Sequence, residues 1–177
     1  GSAAGAMGGG GWLWIYPEVL EKTEHGWTDA GTERFVIELI QAAKRTGKGV
    51  DPNRIYISGH SMGGYVALYL AKRQPELLGN IFTFATKLDW NADTSAKEVR
   101  MLDPDTILEK VPKFAKMLEA RHSGNEWKEH LARTAEMMLH LGNDPALKSE
   151  DFESITNKVR MGLGDRDRMV SLKETHN

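Results

Sequence analysis

The sequence contains no cysteine. Disulfide bonds, thiolate catalysis and cysteine-based zinc sites are therefore excluded together. It also lacks an apolar run approaching the roughly 20 residues of a transmembrane helix, so no membrane span is expected. An excess of charge of one sign is missing as well, because 23 basic and 25 acidic residues are interspersed and leave a net charge of -2. This balance does not favour binding to nucleic acid or to an anionic membrane surface.

The length of 177 residues suits one domain with a substantial apolar core. Residues 1–11 are small and glycine-rich, and we interpret them as a tag and linker outside the fold. A natural targeting signal could have been removed with them, so the compartment stays open. The lack of cysteine and of a recognisable signal favours the cytoplasm.

Strand and helix patterns alternate along the chain, which predicts an α/β fold with a mostly parallel sheet flanked by helices. A helix is expected from Ala30 to Thr46. The expected strands cover residues 12–16, 55–57, 81–86 and 158–163. We divide the chain into a core over 12–94, a strand-free helical insertion over 95–145 and a return to the core over 146–177.

The insertion is interpreted as a helical cap. Phe114, Met117 and Leu118 form one apolar stripe, and residues 123–126 are a capping box that opens a second helix ending at Gly142. One face of that helix carries Trp127, Leu131, Ala135, Met138 and Leu139. These side chains are expected to pack rather than to bind a cofactor, and neither a cofactor nor a metal is expected elsewhere in the sequence.

The run from Ile55 to Gly64 carries the clearest chemical signal. A short strand leads into Gly59-His60-Ser61-Met62-Gly63, a G-x-S-x-G turn, and then into an apolar helix reaching about Lys72. This order exposes the serine hydroxyl on a strained turn, so Ser61 is the predicted nucleophile. The Met62 N–H would then lie at the helix N-terminus, where it can donate to an oxyanion.

The glycines of this turn have an expected steric role. Side chains at Gly59, Gly63 and Gly64 are predicted to clash as strand and helix approach each other. The alternative is a serine that merely caps the helix. A phosphate-binding loop is a weaker rival, because the Gly-Lys-Ser/Thr ending is absent.

A second chemical signal follows the last expected strand, in the loop from Gly162 to Val170. Acidic residues at the carboxyl end of a strand stand where ligands and catalytic groups gather in α/β sheets. A carboxylate there can orient a histidine and stabilise its imidazolium form. Asp167 is the first candidate and Asp165 the second, while a solvated turn of alternating charges remains the alternative.

The elbow at Ser61, the helical insertion and the G-x-x-D-x-x-V loop at Gly164–Val170 together resemble the α/β-hydrolase superfamily of esterases, lipases and peptidases. The resemblance covers about residues 12–177 and implies Ser61 as nucleophile and Asp167 as acid. Members of that family carry three further strands earlier in the fold and a histidine after an eighth strand. The resemblance therefore implies a partial core, incomplete at both ends, whose catalytic histidine is missing from this chain.

Two histidines of the sequence are weaker candidates for the base. His176 is the only histidine after Asp167 and falls at the chain end, where a surface residue is the simpler interpretation. His60 precedes the nucleophile and is expected to pack near the turn or to shape the pocket.

Two functions follow as hypotheses. The first is a serine hydrolase acting on a small ester or other acyl substrate. The second is a non-catalytic, truncated or engineered scaffold that keeps the elbow without its chemistry. In either case unpaired strand edges and apolar faces predict self-association or pairing with a complementing fragment.

Overall fold

The computed structural model describes residues 4–9, 12–17, 30–46, 51, 54–122 and 126–176. Its strands are β1 (Ala4–Gly9), β2 (Trp12–Pro17), β3 (Ile57–His60), β4 (Ile81–Phe84) and β5 (Val159–Gly162). Its α-helices are α1 (Ala30–Thr46), α2 (Met62–Arg73), α3 (Ala92–Val99), α4 (Pro104–Lys110), α5 (Pro112–Arg121), α6 (Glu126–Asn143), α7 (Ser149–Ser154) and α8 (Leu172–His176). Short 3-10 turns at Pro75–Leu77 and Arg100–Leu102 complete the described elements.

Three parallel strands in the order β3-β4-β5 form the central sheet. Helices connect them, as parallel strands require, because the chain must cross back to the same end of the sheet. The register aligns Ile57 with Ile81 and Ile81 with Val159 at one end, and His60 with Phe84 and Phe84 with Gly162 at the other. The carboxyl ends of all three strands therefore meet at one edge, which confirms the predicted α/β class.

The expected first strand takes a different place from the one predicted. Residues 12–17 do form a strand, but β2 pairs antiparallel with β1 in a separate two-stranded sheet and does not extend the central one. The expectation that residues 12–16 belong to the parallel core was therefore wrong, and the segment interpreted as a linker contributes β1. The physical reason is proximity, since a neighbour two residues away closes a hairpin at little entropic cost.

Helix α2 covers one face of the central sheet. Its apolar sequence buries residues on almost every side, namely Gly64, Tyr65, Ala67, Leu68, Leu70 and Ala71. Leu68 of α2 and Ile81 of β4 are almost fully buried in the same cluster, and Val36, Ile37 and Ile40 of α1 pack against it. Burying a side chain of this size contributes about 1.5–3 kcal/mol, so this contact fixes α2 on the sheet.

Tyr65 joins α2 to the segment before α7. Its hydroxyl oxygen accepts a hydrogen bond from the Leu147 N–H at 2.8 Å. Burial raises the pKa of Tyr65 even though this hydrogen bond favours the phenolate. The phenol therefore stays neutral and serves as a packing residue with one satisfied polar end.

The opposite face of the sheet is more open. Along β4, Ile81 and Thr83 are buried, whereas Phe82 and Phe84 are 46 % and 42 % exposed. Alternation of this kind follows from the period of a strand, because successive side chains point to opposite faces. The exposed face carries large apolar side chains where a solvated face would carry polar ones.

Helices α3 to α6 cover most of residues 95–145, and no strand lies among the described residues of that range, in agreement with its helical sequence pattern. Ile107, Ala115 and Trp127 make a small core of their own, against which Leu118 and Leu131 pack. Residues 123–125 of the expected capping box lie outside the described residues. The apolar stripes are only partly covered, since Phe114 and Met117 of α5 are exposed.

Helix α6 ends one residue beyond the expected Gly142, and its apolar face is narrower than predicted. Met138 packs against the main core, whereas Leu139 is 41 % exposed. The step of about 100° between successive helical residues places Leu139 beyond the buried stripe. Among the described residues, no helix is long and apolar enough to cross a membrane.

Candidate active site

Ser61 occupies a sharp turn between β3 and α2 with φ of 53° and ψ of -122°. Ser61 and Ala85 are the described non-glycine residues with positive φ. Such a backbone costs of order 1–3 kcal/mol and persists only where its surroundings impose it. The Ser61 N–H donates to the Phe84 carbonyl at 2.8 Å, and the Ser61 carbonyl accepts from the Gly64 N–H at 3.0 Å. The first bond ties the turn to the carboxyl end of β4, and the second closes the turn onto the start of α2.

The hydroxyl of Ser61 makes no capping hydrogen bond to α2, and the residue is exposed. A serine that served only as a helix cap would accept from the backbone N–H groups of the first turn. The capping alternative therefore fails, because the hydroxyl of this exposed residue is not used to cap the helix. The Met62 N–H belongs to the first residue of α2, where a backbone donor lacks an intrahelical acceptor and the helix dipole favours negative charge.

Two of the three glycines have the predicted steric role. A Cβ at Gly59 would collide with the backbone of Gly63, and one at Gly64 would collide with the side chains of Thr86 and Thr83. The expectation for Gly63 was wrong, because a Cβ there would meet no atom within 4 Å. The crowding at this point arises because the backbone of Gly63 lies close to Gly59, so it restricts the side chain at position 59 and not the one at position 63.

Asp167 lies in the loop that follows β5. One of its carboxylate oxygens, Oδ1, accepts from the Met169 N–H at 2.8 Å and from the Val170 N–H at 2.9 Å. These two hydrogen bonds, that from Val170 first, lower the pKa of Asp167, and electrostatic interaction with His60 and Lys87 lowers it further. Asp167 is therefore an anchored carboxylate.

Asp165, the second candidate, has a different environment. Its side chain is 90 % exposed, and it faces Arg166 at 3.9 Å. Exposed pairs of this kind hold a side chain weakly, because both partners remain solvated. Of the two carboxylates, the loop orients Asp167.

Of the two candidate histidines, the structure describes the side chain of His60 but not that of His176. His60 is exposed and stacks on Phe84 with 5.8 Å between ring centroids, in agreement with its expected packing near the turn. His176 ends α8, and its side chain lies outside the described part. No hydrogen bond joins the Ser61 hydroxyl to a histidine among the residues that the structure describes. Ser61 and Asp167, the predicted nucleophile and acid, thus both follow strands whose carboxyl ends meet at one edge of the sheet. No histidine base is assigned among the described residues.

Sequence reasoning missed a charged cluster beside Asp167. We call the loop from Gly162 to Val170 the acid loop. A cavity of about 250 Å³ lies between the acid loop and α3, and its lining includes Asp167, Lys87, Lys97, Glu98 and Glu174. Lys87 closely follows the carboxyl end of β4, so the rule that drew attention to the acid loop also applied to it. No group of three potential metal ligands occurs among the described residues.

Comparison with protein families agrees with this geometry. A family described as "Putative esterase" matches residues 16–145, a stretch that contains the elbow and stops before the acid loop. A search of curated proteins finds no match. Because the matched stretch is well over half of the 177 residues, the chain belongs to this esterase family, within the α/β-hydrolase superfamily.

Proposed function

We propose that this chain is a serine hydrolase that cleaves a small ester or other acyl compound, with Ser61 as the nucleophile. The observation that carries the proposal is the Ser61 turn, where a positive φ coincides with an exposed serine whose hydroxyl caps no helix. A strained backbone whose side chain makes no stabilising hydrogen bond to its own helix is typical of a functional position. Membership of an esterase family supports the same reaction class.

In this mechanism the Ser61 Oγ attacks the acyl carbon and its proton passes to a histidine. The carbonyl oxygen becomes an oxyanion that accepts a hydrogen bond from the Met62 N–H. As the intermediate collapses, the bond to the leaving alcohol breaks and the histidine returns the proton to it. Water then attacks the acyl-enzyme with the same histidine as base, which releases the acid and restores Ser61.

Asp167 orients that histidine and stabilises its imidazolium form. Its support is the pair of backbone hydrogen bonds that anchors the carboxylate and lowers its pKa. The base is proposed to be a histidine supplied from outside these residues. His60 and His176 are the alternatives within the sequence.

Helices α3 to α6 are proposed to act as a cap over the acyl site. The support is the cavity beside Asp167, to which α3 contributes Thr94, Lys97 and Glu98. A helix that shares a cavity with the acid loop is placed to limit which substrates reach it.

Labelling with a fluorophosphonate in the presence of imidazole, which can stand in for the absent base, tests the proposed nucleophile. The wild-type protein should be modified at Ser61, as located by mass spectrometry, and Ser61→Ala should not be modified. Ser58→Ala is the matched control, since Ser58 is also exposed and lies on β3, the strand that leads into the Ser61 turn. A folded wild-type protein that resists labelling would favour the alternative function, a non-catalytic scaffold.

A further inference from the structure

Lys87 connects four parts of the fold through one ammonium group. Its Nζ lies 3.6 Å from Glu98 Oε1 on α3 and 3.4 Å from Glu174 Oε1 on α8. It also donates to the Met169 carbonyl at 3.2 Å in the acid loop. The lysine itself follows β4, so the sheet, the insertion, the acid loop and the last described helix meet at this side chain.

The cluster is buried. The side chains of Lys87, Glu98 and Glu174 are 13 %, 5 % and 12 % exposed, and Oε2 of both carboxylates is buried without a hydrogen-bond partner. Two buried carboxylates close to each other require a counter-charge, because an unpaired buried charge costs several kcal/mol. Lys87 supplies that charge, so its position is strongly determined.

Lys87 and Asp167 hold opposite ends of the same peptide group. The Met169 carbonyl accepts from Lys87, and the Val170 N–H of that peptide donates to Asp167 Oδ1 at 2.9 Å. A cation on the carbonyl polarises the peptide and strengthens the hydrogen bond that its N–H donates. The orientation of the acid is thereby linked to the charge of the lysine through one rigid plane.

We infer that Lys87 is a positioning residue that fixes the acid loop and couples it to the insertion through Glu98. The role of Asp167 in this inference rests on the proposed function. The coupling itself rests on the contacts of Lys87 alone. Displacement of α3 would move Glu98, and with it the lysine and the peptide that orients Asp167.

The test replaces the charge and follows the loop by NMR in the full chain. In Lys87→Met, the Val170 and Met169 amides should exchange with solvent about tenfold faster or more, as expected when a charge-assisted hydrogen bond is lost. The carboxyl 13C signal of Asp167 should titrate at a higher pH than in the wild type. Lys87→Arg should keep the exchange rates and the Asp167 titration close to those of the wild type, since it keeps the charge and the donors.

Two further variants keep the test decisive. Lys87→Met combined with Glu98→Gln and Glu174→Gln removes the whole cluster, so it folds without a stranded buried charge and should show the same loop changes. Lys72→Met is the matched control, because Lys72 also pairs with a carboxylate, Asp151, and donates to a backbone carbonyl elsewhere. It should leave the acid loop unchanged.

Six titratable or charged side chains interact with Asp167 or line the same cavity, so each can influence its titration. They are His60, Lys87, Lys97, Glu98, Arg168 and Glu174. Unchanged exchange and an unchanged Asp167 titration in the triple variant would overturn the inference. Failure of the wild type to label at Ser61 would instead overturn the proposed function, and the loop measurements would still decide the role of Lys87.

Discussion

The hydroxyl of Thr86 donates a hydrogen bond to the carbonyl oxygen of Ser61 at 3.1 Å. The same hydroxyl occupies the space that a side chain at position 64 would need. Thr86 is almost fully buried, so it cannot turn outward to make room. The conformation of Ser61 and the need for glycine at position 64 therefore both depend on Thr86, in the segment that follows β4.

Replacement of Gly64 by alanine should destabilise the protein by about 1–3 kcal/mol, since overpacking a filled site forces neighbouring side chains away. Gly63→Ala is the matched control. Its Cβ enters open space within a helix, where alanine is favoured by up to about 1 kcal/mol over glycine. Urea unfolding of both variants measures the difference, and equal midpoints would contradict the packing at Thr86.

Imidazole should increase ester hydrolysis by the wild-type protein, because no histidine donates to or accepts from the Ser61 hydroxyl among the described residues. A small imidazole can accept the Ser61 proton in place of a missing histidine, because general-base catalysis needs only a nitrogen within hydrogen-bond reach. The rate with p-nitrophenyl acetate should rise with imidazole concentration above the rate of Ser61→Ala, which reports the reaction in solution. Identical slopes for the two proteins would show that no base-starved nucleophile is present.

The lowered pKa of Asp167 makes its contribution to stability dependent on pH. A carboxyl group whose pKa is lower in the folded state stabilises that state above its unfolded value, and this contribution disappears as pH falls through the folded value. The unfolded value is 3.8. Asp167→Asn should therefore be less stable than the wild type near neutral pH, and the difference should shrink as pH falls below about 3.8.

Asp165→Asn serves as the control for that titration. Its carboxylate is almost fully exposed, so the substitution should leave the unfolding midpoint unchanged at every pH. Urea unfolding monitored by circular dichroism at several pH values gives both comparisons. A difference between Asp167→Asn and the wild type that stays constant with pH would contradict a stabilising carboxylate at position 167.

The exposed face of the central sheet predicts self-association. Phe82 presents a large apolar side chain there, and β3 and β5 have no outer strand neighbour in the described part of the chain. A second copy of the chain can cover both features, because an unpaired strand edge can hydrogen-bond to another strand edge and an apolar face can be buried against another apolar face. Light scattering should give a mass above that of a monomer.

Phe82→Ser should shift that mass towards the monomer. Leu108→Ser is the matched control, since Leu108 is 44 % exposed, close to the 46 % of Phe82, but lies on α4. A monomeric wild type would rule out association, and a partner fragment that binds only wild-type protein would identify the alternative occupant.

Sequence patterns with a local cause were predicted well. Helix α1 has the expected bounds, and the turn at Ser61 lies between a strand and a helix as its glycines indicated. The expected strand at 55–57 was displaced, because β3 begins at Ile57 and continues through His60. Strand ends depend on which partner the neighbouring segment offers, and apolar pattern alone does not reveal the partner.

The sequence by itself determined which residues are the candidate nucleophile and acid, Ser61 and Asp167, and the order in which they occur. It could do so because turn chemistry and apolar periodicity act over a few residues. The tertiary structure alone decided the pairing of β2, the anchoring of Asp167 and the cluster at Lys87. Lys87 and Glu174 are 87 residues apart, and their contact exists only because three strands end at the same edge. Contacts over such separations have no local signature, since they form when packed elements bring distant loops together.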